Sequence, residues 1–320
     1  MRQHLGAASA KLAAGIGRTC TLAVVVACAC QAAPSSSPSP GASAFPMVIH
    51  QSGGATVTLA RQPRRIVSLS PTATEMLFAI GAGPQVVAVD DQSNYPASAP
   101  VTKLSGFQPN VEAIAGYTPD LVVAAEDAGG LVAGLTAVGV PTLVEPAAAD
   151  LNGTYAQLRE LGAATGHASA AASAVSRMRS DIASIVSSVS RPARRVTVYH
   201  ELDDTFYTAT SKTFIGQVYA LLGLQNIADR ATGAAPDYPQ LSSEFVVSAN
   251  PDLIVLADTK CCHQSLQTVA ARPGWGAVAA VRNGEVVGVD DDVASRWGPR
   301  VVDFLRQVAP RVAQVERQAA

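Results

Sequence analysis

The chain has 320 residues, 48% apolar and 15% charged, with a formal net charge of −2. That is enough chain for two domains or one large one, and it describes a globular core, not a disordered chain or one that grips phosphate backbones through a basic face. Aromatic residues make up only 5%, so those that fall in loops stand out.

Residues 1–30 read as an export signal. Arg2, Lys11 and Arg18 give a positive start, TLAVVVACA at 21–29 is an apolar run too short to span a bilayer, and small residues follow. Within the run, Val25-Val26-Ala27-Cys28 resembles a bacterial lipoprotein box. Two outcomes are open: lipidation of Cys28, with Cys30 a weaker site, or simple cleavage and release. Residues 31–46, QAAPSSSPSPGASAFP, lack periodicity and read as a flexible tether or an ordinary disordered terminus. The mature protein is expected in the periplasm or on the outer face of the cytoplasmic membrane, anchored there if Cys28 is lipidated.

An N-terminal α/β lobe is expected over 47–165. TVTLA at 56–60 alternates as an exposed strand does, and RRIVSLS at 64–70 fits a buried parallel strand. The stretch Ser70-Pro71-Thr72-Ala73-Thr74-Glu75 supplies a helix start, with Thr72 and Glu75 at capping-box spacing, and MLFAIGAG ends that helix at glycine. VVAVD at 86–90 is a strand, 111–115 a short helix, DLVVAA at 120–125 a strand, and GLTAVGVPTLVEP a further helix and strand. Alternation of this kind argues for a parallel sheet with helices on both faces.

Residues 166–192 read as one lobe-bridging helix, because Val175, Met178, Ile182, Ile185 and Val189 recur at steps of three and four. A C-terminal α/β lobe then occupies 193–320. Its expected elements are a strand at 194–201, a helix at 214–228, strands at 252–258 and 284–290, and a final helix. The fold class is α/β, with two Rossmann-like lobes joined by one long rigid helix.

Two segments echo each other, VEAIAGYTPDLVVAAE at 111–126 and SEFVVSANPDLIVLAD at 243–258. Glu112 and Glu244 are 132 positions apart, as are Pro119 and Pro251. Two copies are too few for a solenoid and suit halves related by pseudo-twofold symmetry. Each Pro-Asp ends a helix and opens a strand. The glutamates either complement the positive end of a helix or present one carboxylate per lobe to a symmetric dimeric partner.

The motifs RRIVSLSPTATEMLFAIGAG, SNYP, GFQPNVEAI, PDLVVA, YPQLSSE, NPDLIVLAD, ARPGWGAVAAVRNGEVVGVD and RWGPR run in order from Arg64 to the final helix. Together they resemble the extracytoplasmic solute-binding proteins of ABC importers for vitamin B12, haem and iron siderophores, most closely the cobalamin binders. The resemblance implies a ligand held between the lobes and docking of Glu112 and Glu244 onto arginines of the dimeric permease, which works with its ATPase subunits. It implies that Tyr95, Phe107 and Tyr238 face the corrin, where aromatic faces bring both area and orientation. Phe107 and Tyr238 stand where the cobalamin binder has tryptophan, a departure that keeps a smaller π-face. Trp297 is expected beside the cleft, touching ligand or packing on the lobe. Haem is an alternative ligand, with Tyr95, Tyr207 or His200 as axial group, and a ferric siderophore another, with Arg296 and Arg300 as counter-charges. Arg300 also suits a structural role at the start of the last helix.

The remaining chemistry is sparse. Cys261-Cys262-His263 is the one cluster of soft ligands, open to a vicinal disulfide, two free thiols or a metal, though the ligand spacing of a metal site is missing. No Gly-x-Ser-x-Gly triad pattern, phosphate loop or dinucleotide fingerprint occurs, and Glu201, Asp203 and Asp204 read as a solvated acidic loop. The expectation is no enzyme, no cofactor, no metal and no nucleic-acid partner. A ligand sensor working without a permease is the other functional class.

Overall fold

The computed structural model describes residues 45–51, 54–189, 194–231 and 237–319. The export signal, Cys28, Cys30 and residues 31–44 of the expected tether lie outside the described residues.

The body opens with an antiparallel hairpin of β1 (Met47–His50) and β2 (Thr56–Leu59). The N-terminal lobe then runs β3 (Ile66–Leu69), α1 (Pro71–Ala79), β4 (Val86–Val89), α2 (Val111–Ala115), β5 (Leu121–Ala124), α3 (Leu131–Ala137) and β6 (Thr142–Val144). Two helices follow, α4 (Leu151–Thr165) and α5 (Ala168–Ser188). The C-terminal lobe comprises β7 (Thr197–Glu201), α6 (Phe214–Leu221), β8 (Gln225–Asn226), α7 (Ser243–Ala249), β9 (Leu253–Leu256), α8 (Leu266–Ala270), α9 (Ala279–Arg282), β10 (Val286–Gly288), α10 (Asp291–Ser295) and α11 (Val301–Ala319).

Each lobe holds a four-stranded parallel sheet, ordered β4-β3-β5-β6 in one and β8-β7-β9-β10 in the other. The order is the same counted within each lobe, and so is the register. Ile66 pairs with Leu121 in the first lobe and Val198 with Leu253 in the second, each residue displaced by the 132 positions that separate the repeats. The strands β3, β5 and β9 are apolar throughout or nearly so and buried at every position, as parallel strands covered on both faces must be.

The repeated aspartate does more than serve a turn. Asp120 accepts from the backbone N–H groups of Arg64 and Arg65 and pairs with Arg61 at 2.9 Å. Asp252 accepts from the N–H and hydroxyl of Thr197 and pairs with Arg194 at 2.9 Å. Each carboxylate thus fastens the chain entering the first strand of its sheet to the chain entering the third. Burial works against the ionised form, but these hydrogen bonds outweigh it and hold both groups below the usual carboxylate range.

The bridging helix is α5, and its apolar stripe is the expected one: Ala171, Ala174, Val175, Met178 and Ile182 are buried, with Ile185 and Val189 packed at the margin. They join a single apolar cluster that includes Leu121 of one sheet, Val198 and Leu253 of the other, and Leu305 and Val308 of α11. The lobes therefore share one core, within a unit that spans Ser43–Ala320.

Three local features differ from expectation. The cap of α1 is Ser70, whose hydroxyl accepts from Ala73 N–H, and Glu75 turns instead toward the other lobe. The helix α4, capped by Asp150 and ended by Gly166 in the left-handed region (φ 78°), precedes α5 as a separate element. The helix expected over 214–228 stops at Leu221, and Gly223 (φ 73°) turns the chain into β8.

Candidate functional site

Among the described residues, the exposed aromatic side chains are Tyr95, Phe107, Tyr207 and Tyr238. All four sit in loops that leave the carboxyl ends of strands, where open α/β sheets place their ligands. Tyr95 lies in the loop after β4, 46% exposed, and Phe107 lies further along the same connection, 75% exposed. Gly106 explains how Phe107 comes to be there. A Cβ at that position would stand 2.7 Å from the Leu69 carbonyl oxygen and 2.9 Å from Asp90 Oδ2, so only glycine lets this segment lie across the ends of β3 and β4.

In the C-terminal lobe, two loop segments zip together. Tyr207 bridges Gln240, Thr208 N–H donates to the Pro239 carbonyl at 3.0 Å, and Thr210 N–H to the Asp237 carbonyl at 2.9 Å. This seats Tyr238 beside Tyr207. Burial of the phenol, aided by the neighbouring Asp237, pushes the Tyr238 hydroxyl upward, so it stays neutral. A pocket of 430 Å³ bounded by α1, α5 and α11 opens beside Tyr95, whereas Phe107 and Tyr238 lie outside it on more open surface.

The lobes meet through a charge cluster. Glu75 of α1 receives Arg296 Nη1 at 2.7 Å and Arg300 Nη2 at 2.6 Å, with its own side chain 1% exposed. Arg296 also binds Asp292 at 2.7 Å, the Gln92 carbonyl at 2.9 Å and Asn94 Oδ1 at 3.0 Å. The arginines expected as counter-charges for a siderophore are thus engaged by protein carboxylates. Trp297, between them, is half-buried. Its indole N–H donates to Gln157 Oε1 at 2.9 Å and its carbonyl accepts from Thr154, so it packs on α4 and does not join the exposed aromatics.

Other sequence candidates also find structural roles. His200 is fully buried, its Nδ1 2.6 Å from the Tyr219 hydroxyl and its ring against Phe304. Burial lowers its pKa to about 3, and it offers no surface to an axial site. Glu201 is not part of a solvated loop. It ends β7 fully buried and forms a two-pronged pair with Arg272, both bonds at 2.6 Å, and Arg272 in turn lies 4.6 Å over the Trp275 ring. Asp203 caps the following turn through Thr205. Beneath this pair, Asp258 is buried with neither carboxyl oxygen hydrogen-bonded, and burial together with the Glu201 charge pushes it up to about 8.

Cys261 and Cys262 are free thiols, one exposed and one half-buried. Although Cys261 is exposed, partial desolvation and then the adjacent Cys262, with the charges of Asp291 and Asp258, hold its thiol above the ordinary value. Among the described residues, no three His, Cys, Asp or Glu side chains are grouped to hold a metal ion.

Glu112 and Glu244 occupy equivalent points in the two lobes. Each is exposed in the first turn of its helix, behind an N-cap that accepts from the N–H three residues on: Asn110 from Ala113, Ser242 from Phe245. Neither has an ion-pair partner among the described residues, so both carboxylates are presented to solvent.

Two like-ordered parallel sheets, a helix that bridges them and a set of aromatic faces at their carboxyl ends define a bilobal receptor. The chain belongs to the periplasmic binding protein family, which it matches over residues 66–293, and this places its working site outside the cytoplasm. It is 30% identical over 278 residues to the uncharacterized ABC transporter substrate-binding lipoprotein YvrC of Bacillus subtilis, covering 84% of this chain and 86% of that one. It is 31% identical over 280 residues to a cobalamin-binding protein of Halobacterium salinarum, covering 84% and 74%. The crystal structure of the periplasmic vitamin B12 binding protein BtuF of Vibrio cholerae shares the fold with a TM-score of 0.67 at 24% identity, over 80% of this chain and 99% of that one. Among the described residues, no helix is long and apolar enough to cross a membrane.

Proposed function

We propose that this chain is the extracytoplasmic substrate-binding protein of an ABC importer and that it captures a corrinoid, vitamin B12 or a close relative, between its lobes. The observation that carries the ligand assignment is the placement of all four exposed aromatic rings, Tyr95, Phe107, Tyr207 and Tyr238, at the carboxyl ends of the two sheets. Large apolar faces left in solvent at a ligand-binding edge suit a broad, flat, largely uncharged macrocycle. Two further points support it. A relative of 31% identity is a cobalamin-binding protein, and the cations an anionic siderophore needs are neutralised by Glu75 and Asp292. Haem keeps one route, through the exposed phenols of Tyr95 or Tyr207.

Delivery runs through Glu112 and Glu244, one carboxylate per lobe, docking on basic residues of a dimeric permease. The chain makes and breaks no bond; ATP is hydrolysed by other subunits. A lipid on Cys28 would hold the receptor at the outer face of the membrane, where a tether of 31–46 gives it reach.

The test is calorimetric titration of the mature protein with cyanocobalamin, with haem and a ferric siderophore in parallel. Sub-micromolar one-to-one binding of cyanocobalamin, weakened by Tyr238→Ala, supports the assignment. Tight binding of haem or siderophore with no heat from cyanocobalamin overturns the ligand and leaves the receptor class standing.

A further inference from the structure

The ring of Tyr95 has a backing. The Arg300 guanidinium carbon lies 4.4 Å from its centroid, inside the range of cation–π attraction. The two residues come from different lobes, and Arg300 is itself immobilised: Nη2 donates to Glu75 Oε1 at 2.6 Å and Nε to Oε2 at 3.0 Å. The side chain of Arg300 is 13% exposed, whereas Tyr95 is 46% exposed. One ring face is therefore covered by a fixed plane, and the exposed area belongs to the rest of the ring.

The chain just before Tyr95 is gripped from the same lobe. Arg296 Nη2 donates to the Gln92 carbonyl at 2.9 Å, Arg296 Nη1 to Asn94 Oδ1 at 3.0 Å, and Asn94 Nδ2 to Asp292 Oδ2 at 2.9 Å. Positions 92, 94 and 95 are thus all set by the C-terminal lobe, although their chain belongs to the N-terminal one.

We propose that Arg300 is a positioning residue for ligand binding. It backs the Tyr95 ring across the lobe boundary and fixes the plane on which the ligand stacks, so the orientation cost of an exposed loop aromatic is met before the ligand arrives. The inference rests on the reading of Tyr95 as a ligand contact. A purely structural arginine would alter stability without regard to Tyr95, and coupling between the two residues separates the cases.

The experiment is a double-mutant cycle on the full mature protein, read by calorimetric titration with cyanocobalamin, or with haem should that be what the unmodified protein binds. Thermal unfolding of each variant serves as the folding control. Arg300→Gln is expected to weaken binding roughly tenfold, Arg300→Lys to recover part of that loss, and Arg300→Gln to cost nothing further in a Tyr95→Ala background. Equal losses in both backgrounds, or no loss beside an intact Tyr95, overturn the inference while the cleft assignment stands. No loss from Tyr95→Ala overturns the cleft assignment and the inference with it, as does the absence of binding by either compound. If Arg300→Gln does not fold, Arg300→Lys takes its place, since it keeps a charge beside Glu75 but lacks the flat guanidinium; its deficit must likewise vanish with Tyr95→Ala.

Discussion

Replacing Glu75 by glutamine keeps the shape of the side chain and removes its charge. The native carboxylate is 1% exposed and takes three hydrogen bonds from Arg296 and Arg300, whose side chains are 8% and 13% exposed. After the change, Arg296 keeps Asp292, but Arg300 loses its hydrogen-bonded carboxylate and is left with the Tyr95 ring, a neutral amide and the longer-range charges of Asp290 and Asp292. Leaving a buried charge without its partner costs about 3–5 kcal/mol. Because one of the two arginines retains a carboxylate, the lower end, about 3 kcal/mol, is expected. For a chain longer than about 250 residues each kcal/mol moves the midpoint by about 2 °C or slightly less, so Tm should fall by about 5 °C. Urea titration followed by circular dichroism should show a lower midpoint with an unchanged slope. A loss under about 1 kcal/mol would mean that water already solvates the cluster and that it contributes little to holding the lobes together.

The pH dependence of stability should fall off on both sides of a narrow optimum. Asp258, pushed up to about 8, and Glu145, pushed up to about 9 by burial and then by Glu160, hold protons that the unfolded chain releases. Their contribution therefore declines as pH rises from about 4 toward 8 or 9. His200 has the opposite sign: buried neutral with a pKa of about 3, it costs stability as pH falls below the unfolded value of about 6.5. Asp258→Asn should gain several kcal/mol at pH 8, up to about 5, and little at pH 4, measured by urea unfolding at each pH; an equal effect at both would refute an ionisation cause. Gly106→Ala must push the loop off the Leu69 carbonyl and should cost about 1–3 kcal/mol while weakening ligand binding; an unchanged melting curve and affinity would contradict the close approach. Glu112→Ala combined with Glu244→Ala should abolish cellular uptake of labelled ligand while leaving its affinity intact, and uptake that persists would favour a sensor working without a permease.

Much of this arrangement was legible before any coordinates. The strands announced themselves as short apolar β-branched runs, and the 132-residue repeat gave the pairing of halves, because both sheets bury the same positions in the same register. The stripe on α5 was readable for the same reason: one face must meet the core. Long-range charge partners were not readable. Glu75 sits at capping-box spacing, yet its partners lie more than 220 positions away, and no local pattern encodes them. Glu201, next to Asp203 and Asp204, looked solvated for want of any hint that Arg272 would meet it. His200 and Trp297 are side chains whose type suggests ligand chemistry and whose burial decides against it. Tyr207 is the converse case: its sequence suggests no more than an axial group, and it belongs with the exposed rings because its loop is zipped to that of Tyr238.

The antiparallel course of helix and strand in each lobe has a consequence for traffic through this molecule. Helices that return the chain between parallel strands begin where the strands end, so α2 and α7 put their first turns, with Glu112 and Glu244, on the same edge of the fold as the aromatic loops. A partner that grips both carboxylates therefore closes over the mouth as it docks. Under the proposed docking, loading and unloading would share a single doorway, and cargo released while the partner is seated would pass into that partner.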